Sequence, residues 1–375
     1  MTGRVKDIVI IGASYAGIIA LKILLRSRKC PSDLKLNIYL ISPNDYTYFN
    51  MASPRLILEP ESCPKVLFKL QDTIDKYVKN TRHSVTFIQG SVGNVDLDKR
   101  VVCLAEDDGS QICYDNLLIT TGTRLMEPGF KLDNIQDQQY SVNGIKSLHK
   151  KLESAESIAI VGAGGTGVEI AGEIGDDFGD TKKVVLYSGR GMPLPRFPDP
   201  LRRKASEKLE KLGVEIVNND KVKINEDGKS VTLKDGTIKE YSVVVQAHRN
   251  IPNTDFLPDT VLSDTKYIKT DKYLRLENYH NVICMGDVLD MGVSSAVDLF
   301  HYQKPVLTKT IEYEIFERKS TKLKPYQTEK SVSFMCPIGR DGGVALSFGI
   351  RMPNFIVRSQ RAKDYSISRA RWFLT

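Results

Sequence analysis

Two short glycine-rich segments carry the residues best suited to chemistry in this chain. The first, Gly12-Ala13-Ser14-Tyr15-Ala16-Gly17, follows the apolar run 8–11 and opens the apolar helical pattern 16–25. The second, Gly162-Ala163-Gly164-Gly165-Thr166-Gly167, follows the run 157–161 and opens a helical pattern at Val168. Strand, glycine turn, helix is the arrangement that offers free backbone N–H groups and the positive end of a helix dipole to a pyrophosphate. The outer glycines allow the tight turn and close strand–helix packing, and the middle one lets the phosphate approach. Ser14 stands where the first turn's middle glycine is expected, so a phosphate there sits further off or bonds the hydroxyl. A tight strand–helix turn without a ligand is the competing reading, and it weighs more on the first turn than on the second.

The residues beyond each helix sharpen this. A dinucleotide site takes an acid at the end of its second strand for the ribose hydroxyls. After strand 36–41 that place holds Ser42, with Asp45 three residues on, so a ribose meets a weaker, uncharged acceptor. After strand 183–187 come Ser188-Gly189-Arg190. No acid there repels a 2′-phosphate and Arg190 is placed to pair with one, so NADPH is expected to be accepted as well as NADH; a solvated loop arginine is the competing reading. Gly286-Asp287 follows run 281–284, and a carboxylate at a strand end accepts hydrogen bonds from cofactor hydroxyls, although Gly-Asp alone is only a turn signal.

These turns need sheets behind them. Strand 8–11, helix 16–25 and strand 36–41, stopped by Ser42-Pro43-Asn44-Asp45, form a βαβ unit, as do the elements 157–161, 168–174 and 183–187, which predicts parallel strands with right-handed crossovers. Residues 95–122 read as a three-strand meander turning at Asp107-Asp108-Gly109. Residues 222–247 read the same way, with a turn at Lys234-Asp235-Gly236. A repeated βαβ-plus-meander predicts two domains of one architecture. Beyond Pro252 come short strands, a helical stretch 294–317, a lysine-rich polar linker 319–330 and a tail that starts strand-like and ends basic. The expected fold class is α/β, with two Rossmann-type domains at 1–125 with 250–317 and at 126–249, and a small C-terminal module at 318–375.

The 375 residues suit several domains, and no apolar run reaches membrane-spanning length. A strand begins at residue 8 and residue 2 is Thr, so neither a signal peptide nor myristoylation is expected. The expected location is cytosolic, with peripheral attachment to a membrane, lipid-droplet or mitochondrial surface as the alternative. The net charge of +7 fits a basic enzyme drawing anionic cofactors better than a nucleic-acid binder. Six cysteines form no C-x-x-C pair, so no zinc or thioredoxin-like site is expected; Cys103 and Cys113 are placed to face each other across a hairpin and are read as packed thiols. The tail residues Arg351, Arg358, Arg361, Lys363, Arg369, Arg371 and Trp372 fit an anionic membrane surface, or a solvated tail packed on its own domain.

In chain order, the first fingerprint, Thr120-Thr121-Gly122, the second fingerprint, Pro252-Asn253 and Gly286-Asp287 resemble the two-dinucleotide-binding, glutathione-reductase-like flavoproteins. Within them the resemblance is to the apoptosis-inducing-factor-like group, with its ferroptosis-suppressor NAD(P)H–quinone oxidoreductases and fungal relatives. It covers nearly the whole chain, including Pro337-Ile338-Gly339-Arg340-Asp341-Gly342-Gly343-Val344 in the tail. It implies that Gly12, Ser14 and Gly17 hold the FAD pyrophosphate, that Ser42 lies near its adenosine, and that Gly122 and Asp287 complete the FAD site. Gly162, Gly164 and Gly167 would hold NADH or NADPH. Glu169 would lie at the nicotinamide–flavin contact as a catalytic residue, and Arg55 would approach the flavin ring; a helix-surface acid and a loop charge are the competing readings.

One departure is Arg249, three residues before Pro252 where the group has glycine: it crowds a dinucleotide there or caps it. With no cysteine pair at hand, reduced flavin would pass electrons to an external acceptor, for which a quinone fits best. The helix from Ser294 is expected to point its positive end at the flavin. A slow-turnover redox-signalling flavoprotein is the alternative function, and a flavin-free dinucleotide sensor a further one.

Overall fold

The structure is a computed structural model that describes residues 3–105, 110–130, 139–248, 250–291, 295–328 and 332–375. Two parallel sheets organise it. The first has the strand order Arg275–Leu276, Tyr279–Cys284, Asn116–Ile119, Arg4–Ile11, Leu34–Ser42, Ser84–Gln89; only the edge pair Arg275–Leu276 with Tyr279–Cys284 is antiparallel. Ile8 to Ile11 are buried on both faces, as a parallel sheet covered by helices requires. The second sheet runs Val214–Asn218, Lys183–Ser188, Ser157–Val161, Val243–Gln246, all parallel. In each, the strand leading into a glycine turn lies between its βαβ partner and a strand that arrives much later. The order therefore reverses at its C-terminal end and opens a crevice there, the usual place for a ligand in such sheets.

The helices after the turns, Tyr15–Arg26 and Gly165–Phe178, lie close against their strands. A Cβ on Gly17 would stand 1.9 Å from the Gly12 carbonyl oxygen, and one on Gly167 1.8 Å from that of Gly162. Both positions therefore accept only glycine.

The two meanders are antiparallel three-stranded sheets, Val92–Asp96 with Val101–Leu104 and Gln111–Cys113, and Lys223–Ile224 with Ser230–Thr232 and Ile238–Glu240. The turn at Asp107-Asp108-Gly109 lies outside the described residues. In the first meander Cys103 pairs with Gln111 and Cys113 with Val101, which offsets the two cysteines by two positions. All six cysteines are free thiols, and Cys113 is exposed rather than packed. The start of the helical stretch expected from Ser294 also lies outside the described residues. From Asp298 to Ile315 the stretch is α-helical only at Lys304–Thr310, between π-helical turns at Asp298–Gln303 and Ile311–Ile315. Pro305 has no N–H to close the bond to residue 301, a physical reason for the wider register before it.

The C-terminal segment is built into the rest of the molecule. Its strands Phe334–Pro337, Gly343–Ser347 and Ile350–Arg351 form an antiparallel sheet, and Cys336, Ile338, Val344 and Leu346 join the core of the second domain. Its last helices put Tyr365, Ala370 and Leu374 into a separate cluster with Tyr48, Phe49 and Leu56 of the first domain. The chain end is held there by Lys76 Nζ and Tyr77 Oη, which donate to the Thr375 carbonyl oxygen at 2.8 and 2.7 Å. Leu374 is fully buried. Leu374→Ala is expected to destabilise the protein by about 2–5 kcal/mol in chemical denaturation, as removal of a core leucine does elsewhere; an unchanged midpoint would show a loosely attached tail.

Candidate functional site

Two cavities meet at the first glycine turn. One, of about 270 Å³, lies over the C-terminal end of the first sheet, with Gly12, Ser14, Ser42, Asn44, Gly90 and Arg124 among its walls. The other, of about 500 Å³, runs from Ser14 and Tyr15 past Gly122, Gly286 and Asp287 to Thr166 and Glu169 on the second glycine helix. They share Ser14, Thr120, Thr121 and Asn253, so the pair forms one long trough with the first turn at its waist. An elongated, two-ended ligand with a charged middle suits this shape.

The smaller cavity is polar at its far end. The Ser42 hydroxyl accepts the Asn44 backbone N–H at 3.3 Å and is nearly buried. Arg124, which the sequence reading passed over, donates to Asn253 Oδ1 at 2.9 Å and pairs with Asp255 at 3.0 Å, fixing a guanidinium on this wall. Asn253 in turn donates from Nδ2 to the Thr121 carbonyl at 2.9 Å, and its backbone N–H to that of Gly122 at 3.0 Å. This is the crossing point of the two chain passages between the domains, where Thr123–Arg124 pairs with Ile251–Pro252. Arg249 lies outside the described residues.

The larger cavity holds the more reactive groups. Glu169 is buried, with its Oε1 2.9 Å from Arg361 Nη2. Burial pushes its pKa up to about 7, with Arg361 pulling it down and Glu173 pushing it up. Such a carboxyl group exchanges its proton near neutral pH. Arg361 also donates from Nη1 to the Met335 carbonyl at 3.0 Å, and its guanidinium lies 5.8 Å from the Tyr365 ring. In the sequence Arg361 is one tail charge among several, and no local signal marks it as a wall of this cavity.

Arg55 takes another direction. Its neighbours Ser53 and Pro54 line the cavity, while its own side chain is buried and turned into the interior. There it forms a two-pronged pair with Glu173, Nη2 to Oε1 at 3.1 Å, and donates to the Ala362 carbonyl at 2.9 Å. A side chain so committed is not available to a ligand in the trough.

At the second turn, a Cβ added to Gly164 would meet nothing within 4 Å, so the turn faces open space where a phosphate would stand. Phe334, from the C-terminal sheet, lies over the next residue: a Cβ on Gly165 would come within 2.6 Å of its ring. Arg190 is exposed on the loop after Lys183–Ser188. Arg202 braces that loop, donating to the Met192 carbonyl at 2.7 Å. Ser295 to Val297, next to the stretch 292–294 that lies outside the described residues, line the large cavity beside Asp287. The trough thus gathers Gly12, Ser14, Ser42, Gly122, Asp287 and Glu169, and the second turn with Arg190 forms a separate rim.

Known proteins resemble this chain. The family profile described as pyridine nucleotide-disulphide oxidoreductase matches residues 6–302. The chain is 27% identical to oxidoreductase ptaL of Pestalotiopsis fici, over 95% of each protein. It is 24% identical to ferroptosis suppressor protein 1 of Taeniopygia guttata, over 99% of this chain and 96% of that one. The solved structure of the sulfide:quinone oxidoreductase from Aquifex aeolicus superposes with a TM-score of 0.74 at 16% identity, covering 98% of this chain and 90% of that one.

The open space at Gly164 gives a direct test. Gly164→Ala is expected to leave thermal unfolding unchanged and to weaken NADH and NADPH binding by tenfold or more, on the order of the 1–3 kcal/mol that overpacking costs. Equal affinity in a dinucleotide titration would separate this turn from the ligand.

Proposed function

The chain belongs to the pyridine nucleotide-disulphide oxidoreductase family, and from that premise we propose that it passes electrons from NADH or NADPH through FAD to a small external acceptor, a quinone. The observation that carries this reading is the continuous trough that runs from the first glycine turn to the side of the second glycine helix, with an ionisable carboxyl group at that end. FAD would lie along it, with Gly12, Ser14 and Gly17 at its pyrophosphate, Ser42 near the adenosine, and Gly122 and Asp287 beyond. Gly162, Gly164, Gly167 and Arg190 would hold the nicotinamide dinucleotide. When bound, FAD supplies the two-electron acceptor and donor that no side chain here provides.

The chain's own residues orient the reactants and manage one proton. The second glycine helix presents N–H groups to the dinucleotide at its start, and Glu169 to the cavity one turn later. A carboxyl group with a pKa near 7 is suited to give a proton to an oxygen of a reduced acceptor and to recover it from water. Arg361 forms an ion pair with that carboxyl group and offsets part of the rise that burial causes. Tyr48, Leu125, Phe130 and Met335 give the cavity apolar walls that suit a flat, apolar acceptor. No cysteine lines either cavity among the described residues, so nothing there makes the acceptor an internal disulfide. The relatives named above include one whose name specifies a quinone.

Purified protein is expected to show a flavin absorption spectrum and to oxidise NADH or NADPH much faster when a short-chain quinone is added. A colourless protein that still binds NADH would overturn the flavin reading. A flavoprotein reoxidised slowly by every quinone and by oxygen would instead point to the redox-signalling role.

Glu169 gives the pH dependence. Acceptor reduction is expected to titrate with a midpoint near 7 in the wild type and to lose that titration in Glu169→Gln, with turnover lower by about a hundredfold. Arg361→Met removes a charge that lowers this pKa, so the midpoint should move up. A folded pKa above its ordinary value means that the native state keeps a proton the unfolded chain has lost between about pH 4.5 and 7. Stability from this group is therefore full below that window and lost as pH rises through it, and Glu169→Gln should remove that slope from pH-dependent unfolding.

A further inference from the structure

We propose that the protein docks on an anionic phospholipid surface through a folded face made by the hairpin tip at Phe348 and Ile350 together with Trp372. Large apolar side chains are conspicuously exposed there. Among the described residues, the exposed large aromatic side chains are Phe348 at 52%, Phe355 at 69% and Trp372 at 76%, all in the C-terminal segment, and Ile350 is 70% exposed beside them. Phe348 stands at a positive φ of 48°, a conformation that glycine or asparagine adopts with far less strain. A bulky ring left half in water at a strained turn gains little from packing within the chain beyond its edge contact with His301.

The tip and the tail meet the same part of the molecule. The Phe348 ring is edge-on to His301 at 5.8 Å, and Phe373, in contact with Trp372 at 4.9 Å, lies 5.9 Å from Phe300. His301 and Phe300 belong to the turn Asp298–Gln303, and Val297 and Leu299 at its start line the large cavity. The exposed apolar groups therefore sit where an acceptor dissolved in lipid would enter the trough. This last point rests on the quinone reading; the docking itself does not.

Charge selects the occupant. From Arg340 to Thr375 the chain carries seven lysines and arginines and two acids, Asp341, which lies 3.5 Å from Arg358, and Asp364. Asp364 is turned inward to accept the N–H groups of Ser366 and Ser368 at 2.9 and 3.2 Å. Arg351, Arg358, Arg369 and Arg371 are exposed. A second copy of the chain would set this positive charge against itself, whereas anionic headgroups complement it and admit the apolar tips between them. Among the described residues no helix is long and apolar enough to cross a membrane, so the contact proposed is peripheral.

Trp372 is the chain's only tryptophan and reports on the contact directly. The FAD-loaded full-length protein is mixed with vesicles of phosphatidylcholine alone or with phosphatidylserine, then sedimented, and its tryptophan emission recorded. Wild-type protein is expected to sediment with the phosphatidylserine vesicles, with a blue-shifted emission quenched by brominated lipid. The double variant Phe348→Ser, Ile350→Ser keeps the reporter and should partition about a hundredfold less, from two large apolar side chains at roughly tenfold each. Its oxidation of NADH with a water-soluble quinone should match that of the wild type, which separates loss of docking from loss of the flavin reaction. Wild-type protein that stays in the supernatant with an unshifted tryptophan, or a double variant that partitions like the wild type, would overturn the proposal and leave this face to a protein partner.

Discussion

The helix Gly165–Phe178 turns two carboxyl groups into the protein, Glu169 and Glu173, and each meets a cation brought from elsewhere. Moving a charge out of water costs several kcal/mol unless a partner meets it with good geometry. Arg55 answers Glu173 from the first domain, and Arg361 answers Glu169 from the C-terminal segment. Arg55 reaches that segment as well, through the carbonyls of Ala362 and Lys363. Three parts of the chain are therefore registered on one helix by two arginines. Arg340 adds an outer brace, pairing with Asp176 on the same helix at 2.9 Å and with Glu59 of the first domain at 3.3 Å. A buried pair of this kind is weak evidence of net stability but a strong constraint on register, because a shift of any part strands a charge.

That constraint carries the site. The helix carries the second glycine turn at its start and Glu169 on the neighbouring cavity wall, so the two keep a fixed spacing. The two glutamates also acquire different roles from their surroundings. Glu173 is clasped by a two-pronged guanidinium and is committed to structure. Glu169 meets one arginine at the cavity edge, and its burial is only partly offset, which leaves its proton exchangeable near pH 7. Phe334 and Met335, on the same C-terminal strand, cover the start of the helix and line the cavity, so the segment that supplies Arg361 also closes the site.

Much of this was legible in the sequence, and the boundary is physical. The two glycine turns, the parallel units behind them and the repeated meanders are read from neighbouring residues, because strand, turn and helix are consecutive in the chain and the period of apolar residues reports their burial. The same holds for the place of Gly286-Asp287, set by the strand that precedes it. Arg55 shows where this stops: its segment reaches the trough, but which way its side chain turns depends on Glu173, more than a hundred residues away. The C-terminal segment, read as a small module with a basic tail, shares both neighbouring cores, since Tyr365 and Leu374 find their apolar partners in the first domain.

The amino-acid order alone thus determined the two strand–glycine-turn–helix units and the α/β architecture, since backbone N–H groups are aimed by local conformation and need no distant partner. Only the tertiary structure decided which charges are neutralised, which carboxyl group titrates and which apolar side chains are left in water. Those properties belong to side chains, and a side chain's environment is made by whatever the rest of the chain packs against it.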